Sequence, residues 1–287
     1  MGAVLWGLLS SASLGTADFM GRFSARALGA PLTYAVVLLV GAVVSTLCVV
    51  ISDMPIIWSH YGWAMAVAQG VSVATMCMLL YAGLARGPVA IVAPIVAAHP
   101  AIVLAINVAM GLRPGVGEWT AIAAVVLGGI LIARSAGSHP QFAGDNGGEM
   151  RKTVLIALGA CLAYVAIVLT SQAAVLVLSE LQTVWIGRCS GLAFVGMVLL
   201  VQRTRPTVPP SWLPFVGAQG LLDGLGYITF LVGATTVSPH IAMVVASTFS
   251  VFTVFLAKVV LKEPISRQQW AAIALISIGT AALAGTR

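Results

Sequence analysis

The chain has 287 residues, of which 60% are hydrophobic and only 8% are charged, and its mean hydropathy is +1.06. A soluble domain carries roughly 25% charged residues, so this composition excludes an ordinary water-soluble fold. The formal charge of +6 does not indicate a nucleic-acid partner, because the basic residues stand singly at the ends of apolar runs, where they act as topology signals. The sequence therefore predicts a multi-pass membrane protein whose solvent is the lipid bilayer.

Apolar windows of about 19 to 20 residues predict ten transmembrane helices. In chain order they lie near 3–21, 31–51, 60–84, 88–110, 118–134, 153–172, 182–201, 212–235, 239–259 and 268–285. We interpret the first as a membrane helix rather than a cleaved signal peptide, because no Lys or Arg precedes it and Asp18 interrupts its far end. The fourth contains Pro88, Pro94 and Pro100, which are expected to weaken or bend it.

The one sizeable polar segment of the sequence runs from Ser135 to Lys152, and its Gly, Asp, Asn and Pro content is typical of a flexible linker. It divides the chain into a first five-helix repeat (1–134), a cytoplasmic linker (135–152) and a second five-helix repeat (153–287). Eleven basic residues flank one set of connections; the other side has two, with Arg188 just inside the seventh helix. The positive-inside rule then places both termini on the outer side of the plasma (inner) membrane.

An offset of 150 residues aligns the two halves. The matches are Ala68-Gln69-Gly70 with Ala218-Gln219-Gly220, Gly83 with Gly233, Pro114 with Pro264 and, after a one-residue shift, Trp119 with Trp270 and Gly128 with Gly279. Chance matching among Ala, Gly and Val is the alternative, but glutamine, proline and tryptophan also agree in register. Because each half has an odd number of helices, the second inserts upside down. The predicted fold class is an all-α polytopic membrane protein of ten transmembrane helices, arranged as two inverted five-helix repeats around a central cavity, as in secondary transporters.

Four motifs are spread over essentially the whole chain: Trp6-Gly7, GTADFMG at 15–21, GLARGPVA at 83–90 and LKEP at 261–264. They resemble the EamA-type members of the drug/metabolite transporter superfamily. The resemblance implies a ten-helix basket whose central cavity is lined chiefly by helices one, three, four, six, eight and nine. It also implies export or exchange of amino acids, other metabolites or drugs, without naming the cargo. The chain departs from the family pattern at Arg113-Pro114, where a glutamate more often precedes helix five.

Polar side chains inside a spanning helix are costly, so they usually face a cavity or a partner. Gln219, Asp223 and Tyr227 are spaced by four residues and share one face of the eighth helix. The repeat-related face of the third helix carries Gln69, Cys77 and Tyr81. Two interpretations stay open: the two faces line a common substrate cavity, or the glutamines hydrogen-bond between helices while Asp223 pairs with a neighbouring donor.

Three further residues at membrane depth have two interpretations each. His99, near the middle of the fourth helix, is a proton carrier or a satisfied core donor. Asp18 forms an i,i+4 ion pair with Arg22, or it acts on a cavity-lining helix as the resemblance implies. Arg188 reaches the outer surface or binds a substrate carboxylate. We therefore predict Asp223, His99 and Asp18 as candidates for proton coupling, and Arg188 as a candidate cavity residue.

The sequence contains no nucleophile elbow, phosphate-binding loop or metal-ligand cluster, so we expect neither an enzyme nor a cofactor or metal. An intramembrane hydrolase built on Asp18 and Asp223 would need both carboxylates within reach of one water, but they are predicted at different depths. The predicted function is a secondary transporter that exports or exchanges a small metabolite (an amino acid or an amine-like molecule) or a drug by alternating access, with protons as the candidate coupling ion. A passive channel or a lipid scramblase is the alternative. Substrate, direction of transport, coupling ion and oligomeric state stay open.

Overall fold

The computed structural model describes residues 2–111, 113, 115–136, 148–203, 207–234 and 239–285. Within these residues the regular secondary structure is entirely α-helical. The helices are α1 (Gly2–Leu28), α2 (Ala30–Ile51), α3 (His60–Arg86), α4 (Val89–Ala97), α5 (His99–Ala109), α6 (Val116–Ala136), α7 (Gly148–Val175), α8 (Glu180–Val201), α9 (Leu213–Ala234), α10 (Pro239–Ala246), α11 (Phe249–Val260) and α12 (Arg267–Gly285).

Every predicted segment coincides with a helix, and two of the segments are each built from two helices. Within the part of the chain that the structure describes, six stretches are long and apolar enough to cross a membrane: α2, α3, the α4–α5 pair, α7, α8 and α9. The stretches Val116–Leu131 and Val244–Val260 are shorter apolar helices. The chain is therefore a multi-pass membrane protein. Residues 137–147 of the predicted linker lie outside the described residues.

The outer surface of the helices is apolar. Ile51, Leu200 and Val201 are 80%, 79% and 78% exposed, respectively, and exposed leucines, valines and isoleucines recur along most helices. Leaving each of these side chains in water rather than in an apolar environment would cost about 1.5–3 kcal/mol. The interior holds large, fully buried side chains such as Tyr34 and Tyr81. The core is thus packed inside while the apolar exterior suits lipid.

The fourth predicted segment breaks at Ala98, between α4 and α5, as its prolines predicted. In a continuous helix the amide of residue 100 would donate to the carbonyl of Val96, but Pro100 has no N–H. The Nδ1 atom of His99 instead lies 3.2 Å from the Val96 carbonyl oxygen. Pro94, by contrast, lies inside α4 without interrupting it. The break therefore follows from one proline, and the neighbouring histidine compensates for the amide it removes.

The second half has a corresponding break at Ser247 and Thr248, 150 residues further along. Here no proline removes an amide. The hydroxyl groups of Ser247 and Thr248 donate to the carbonyls of Val244 and Val245, each at 2.7 Å. Such local side-chain bonds compete with the helical ladder. Both halves are thus interrupted at related positions by different chemistry.

Helices of the two halves pack against each other reciprocally. α1 packs on α9 while α3 packs on α7, and α2 packs on α8 while α6 packs on α12. In the last pair, a Cβ atom at Gly128 would lie 2.6 Å from Ile276, and one at Gly279 would lie 2.7 Å from Val125. Only glycine lets these two helices approach so closely, which is a common basis of helix association in membranes.

Candidate functional site

A cavity of about 320 Å³ is walled by helices of both halves. Both helix breaks reach its wall, which includes Ala97 and His99 of one half and Ser247 and Phe249 of the other. Most of the remaining lining is apolar. The side chains with titratable or aromatic chemistry include Asp18, Tyr34, His99, Tyr164, Asp223 and Tyr227.

The nine residues singled out from the sequence divide between the cavity wall and the packed interior. Five of them line the cavity: Asp18, Cys77, His99, Asp223 and Tyr227. Gln69, Tyr81, Arg188 and Gln219 are not among the lining residues, and each is buried. The first group can therefore contact a bound molecule directly, whereas the second can act on it only through neighbouring side chains.

Arg188 and Asp223 form a buried ion pair. Their Nη1 and Oδ2 atoms are 2.6 Å apart, and the two residues are 4% and 7% exposed. The guanidinium carbon also lies 4.3 Å from the centre of the Tyr227 ring, a cation–π distance. The interpretation that Arg188 reaches the outer surface was wrong, because the carboxylate of α9 holds it inside. Asp223 both lines the cavity and has the neighbouring donor that the alternative interpretation required.

Asp18 lies deeper in the structure than the sequence indicated. The first segment was predicted to end near residue 21, but α1 continues to Leu28, so about 15 Å of helix separates Asp18 from its end. The predicted ion pair with Arg22 does not form, because Arg22 pairs with Glu263. No described residue makes a hydrogen bond or ion pair with the Asp18 side chain. Asp18 and Asp223 therefore face one cavity, although they were predicted at different depths.

His99 contacts Tyr164 rather than Asp223. The two rings stack with centroids 3.7 Å apart and an angle of 16° between their planes. No direct hydrogen bond joins His99 to Asp223 within the described part of the chain, although both line the cavity. The sequence did not single out Tyr164 or Tyr34. The available signal was that the chain has only five tyrosines, of which these two lie inside apolar runs.

The two glutamines make contacts between helices. Gln219 is fully buried, and its Oε1 atom accepts a hydrogen bond of 2.7 Å from the Ser24 hydroxyl, which joins α9 to α1. Gln69 of α3 fills the space beside Gly187 of α8, where any Cβ atom would overlap it. Gln219 thus makes the interhelical hydrogen bond of the second interpretation. Gln69 packs against α8, but its Oε1 atom is buried without a hydrogen-bond partner among the described residues.

A second polar cluster is built around Arg22, about one helical turn along α1 from Asp18. Arg22 Nη1 lies 3.5 Å from Glu263 Oε1 and donates to the Gly87 carbonyl at 3.2 Å. The Glu263 carboxylate accepts from the backbone amides of Val89 and Ala90 at 3.1 and 3.3 Å. It thereby caps the N-terminus of α4, where a negative charge is favourable. This cluster, the Arg22–Glu263 latch, ties α1, α4 and the α11–α12 connection together.

Comparison with known proteins identifies one half of the chain directly. Residues 151–285 match the model of the EamA-like transporter family, so the predicted resemblance to EamA-type transporters is confirmed. A solved structure described only as "Crystal structure of protein" is 17% identical, with a TM-score of 0.64 over 99% of this chain and 97% of that chain. At that identity the likeness supports the fold alone, but it extends over both halves. No curated protein matches the chain.

Proposed function

Because residues 151–285 belong to the EamA-like transporter family, we propose that the chain is a secondary transporter that moves a small metabolite or drug through the central cavity. Ten spans form two inverted five-helix repeats, with both termini on the outer side of the membrane. The cavity alternates its access between the two sides. The observation that carries this proposal is the pair of interrupted helices, broken near residues 98 and 248, on the wall of one cavity.

Discontinuous helices at corresponding positions of two repeats are typical of binding sites in secondary transporters. Non-helical backbone at membrane depth is tolerated where it is buried in protein or lines a cavity, and here both breaks lie at the cavity wall with nearby carbonyls bonded by side chains. The reciprocal helix packing of the two halves supports the inverted repeat. The contacts of two glycines support it too. Gly128 meets Ile276, and the repeat-related Gly279 meets Val125, which is itself the counterpart of Ile276 in the other half.

The Arg22–Glu263 latch favours alternating access over a passive channel. A channel needs a continuous path, whereas the latch seals one end of the structure with buried charged groups (7% and 6% exposed). By the loop charges this is the cytoplasmic end. The 150-residue offset places Arg113 at the position that corresponds to Glu263, so the outer end has no equivalent carboxylate. The arrangement suits a transporter whose cavity is closed on the cytoplasmic side.

Proton coupling is the energy source that the cavity supports best, and Asp18, His99 and Asp223 are the candidate carriers. Asp223 already holds the guanidinium of Arg188, and His99 is stacked on Tyr164. Asp18 is the carboxylate that faces the cavity without a fixed partner among the described residues. We therefore rank Asp18 first among the three, and Asp223 as the group whose release from Arg188 accompanies a change of state.

The test is flux in proteoliposomes. A thermal-shift screen against amino acids, amines, nucleosides and cationic drugs first supplies a substrate for the purified chain. Uptake of that substrate is then measured with and without a pH gradient, in the wild type, in Asp18→Asn and in the double variant Asp223→Asn with His99→Ala. Gradient-driven flux that both variants lose supports the proposal. Flux that ignores the gradient, or full coupling in both variants, would reject proton coupling, and an absence of carrier-type saturation would favour a channel.

A further inference from the structure

We propose that the cavity selects organic amines with one positive charge and an aromatic or apolar body, and that it rejects amino-acid zwitterions and anions. The proposal rests on the proposed transport function only in taking the cavity as the substrate site. The binding preference itself can be measured without transport. The preference follows from three features: the acidic side chains of the lining, its aromatic rings and the position of Arg188.

Among the described residues, the lining has more acidic side chains than basic ones. Its acidic residues are Asp18, Glu118 and Asp223, and no Lys or Arg lines the cavity among the described residues. Arg188 compensates Asp223 from outside the lining. Glu118 lies in the first turn of α6 and accepts from the backbone amide of Gly115 at 2.8 Å. Asp18 is the acidic group of the lining that has no hydrogen-bond or ion-pair partner among the described residues, so an ammonium group on the ligand would complement it.

The ring lining suits the body of such a cation. Five aromatic side chains line the cavity: Tyr34, Tyr164, Tyr227, Phe230 and Phe249. Aromatic rings attract ammonium groups within about 6 Å, although one face of Tyr164 is covered by His99 and one face of Tyr227 by Arg188. The Tyr34 hydroxyl is fully buried and has no nitrogen or oxygen partner among the described residues. A cavity of about 320 Å³ is at the small end of ligand sites, which favours a molecule with a single ring system.

A carboxylate on the ligand would find no fixed positive partner. The guanidinium of Arg188 is 4% exposed, is engaged by Asp223 and lies over Tyr227. Each helix break also brings a helix C-terminus beside a helix N-terminus (α4 with α5, and α10 with α11), so their dipoles of opposite sign largely offset each other. Burying an unpaired carboxylate is expensive, and an amino acid would bring one into the cavity together with its ammonium group.

The experiment uses four probes with the same phenyl body and different charge. They are phenethylamine (cation), phenylalanine (zwitterion), 3-phenylpropionate (anion) and 2-phenylethanol (neutral). Binding to the purified full chain in detergent is measured by calorimetry at pH 7. Phenethylamine is expected to bind roughly 10- to 100-fold more tightly than the other three, which is the factor expected for one hydrogen bond to a charged group. Asp18→Asn should reduce its affinity to that of the neutral probe, whereas the exposed control Asp53→Asn should leave it unchanged.

The wild-type ranking decides the proposal even if Asp18→Asn fails to fold. Equal or tighter binding of phenylalanine or 3-phenylpropionate would overturn it, and so would binding of none of the probes or an unchanged preference in folded Asp18→Asn. Failure of the transport proposal has a different signature. Phenethylamine that binds to the cavity but shows no carrier flux would leave the amine site intact while rejecting transport. Carrier flux of another substrate class without amine binding would support transport and overturn the amine site.

Discussion

The buried ion pair between Arg188 and Asp223 leads to a quantitative prediction for stability. The pair is short, at 2.6 Å, and both residues are more than nine-tenths buried. Removing one partner leaves the other charge buried without compensation, which costs about 3–5 kcal/mol. We therefore expect Asp223→Asn and Arg188→Met each to lower the free energy of unfolding by about that amount. The double variant buries neither charge, so its loss should be smaller than the sum of the two single losses by at least about 2 kcal/mol.

The assay is unfolding of the purified chain by SDS in mixed micelles, followed by tryptophan fluorescence, since the chain has seven tryptophans. Lys152→Met is the matched control. Lys152 also pairs with a carboxylate, at 2.8 Å from Glu149, but its side chain is 63% exposed. An exposed pair contributes about 0–1 kcal/mol, so this control should unfold close to the wild type.

Strictly additive losses in the double-mutant cycle would refute the reasoning, because they would mean that the two charges do not stabilise each other. A near-neutral Asp223→Asn would refute it as well, since that change leaves the Arg188 guanidinium buried, and a guanidinium does not release its proton in proteins. If Arg188→Met lowers the free energy of unfolding more than Asp223→Asn does, the lost stacking of the guanidinium on Tyr227 accounts for about 0.5–2 kcal/mol of the difference.

Two further predictions concern the latch and the glycine contacts. Glu263→Gln weakens the latch, so Cys77 should become more accessible from the cytoplasmic side. In a variant that keeps Cys77 as its sole thiol, a membrane-impermeant maleimide added to inverted vesicles should label Cys77 roughly tenfold faster. The exposed control Glu180→Gln should not change that rate, and an unchanged rate in Glu263→Gln would contradict the latch. Gly128→Ala should lower the free energy of unfolding by about 1–3 kcal/mol through overlap with α12, whereas Gly129→Ala, which meets no atom within 4 Å, should raise it by about 0.5–1 kcal/mol. Equal effects of the two alanines would contradict close packing of α6 on α12.

Much of the helical framework is predictable from the sequence because each helix depends on local properties. In lipid every backbone amide must bond within its own segment, so a run of about 20 apolar residues is almost sufficient to specify a helix. The break next to Pro100 is predictable for the same reason, since proline removes a particular hydrogen bond. The ends of the helices are less predictable from the sequence. α1 continues to Leu28 because Arg22 and Arg26, which mark a membrane boundary in the sequence, both donate to other segments of the structure.

Partner choice between distant segments is the part that local rules do not reach. Asp18 and Arg22 have the spacing of an ion pair on one helix, yet Arg22 lies near Glu263, 241 residues away. A contact at the four-residue spacing is worth only about 0.2–0.5 kcal/mol. Glu263 offers Arg22 a buried carboxylate that is also held by two backbone amides, and hydrogen bonds to charged groups contribute about 1.5–3 kcal/mol each. The long-range pair therefore prevails, and its formation leaves Asp18 in the cavity without an ion-pair partner among the described residues.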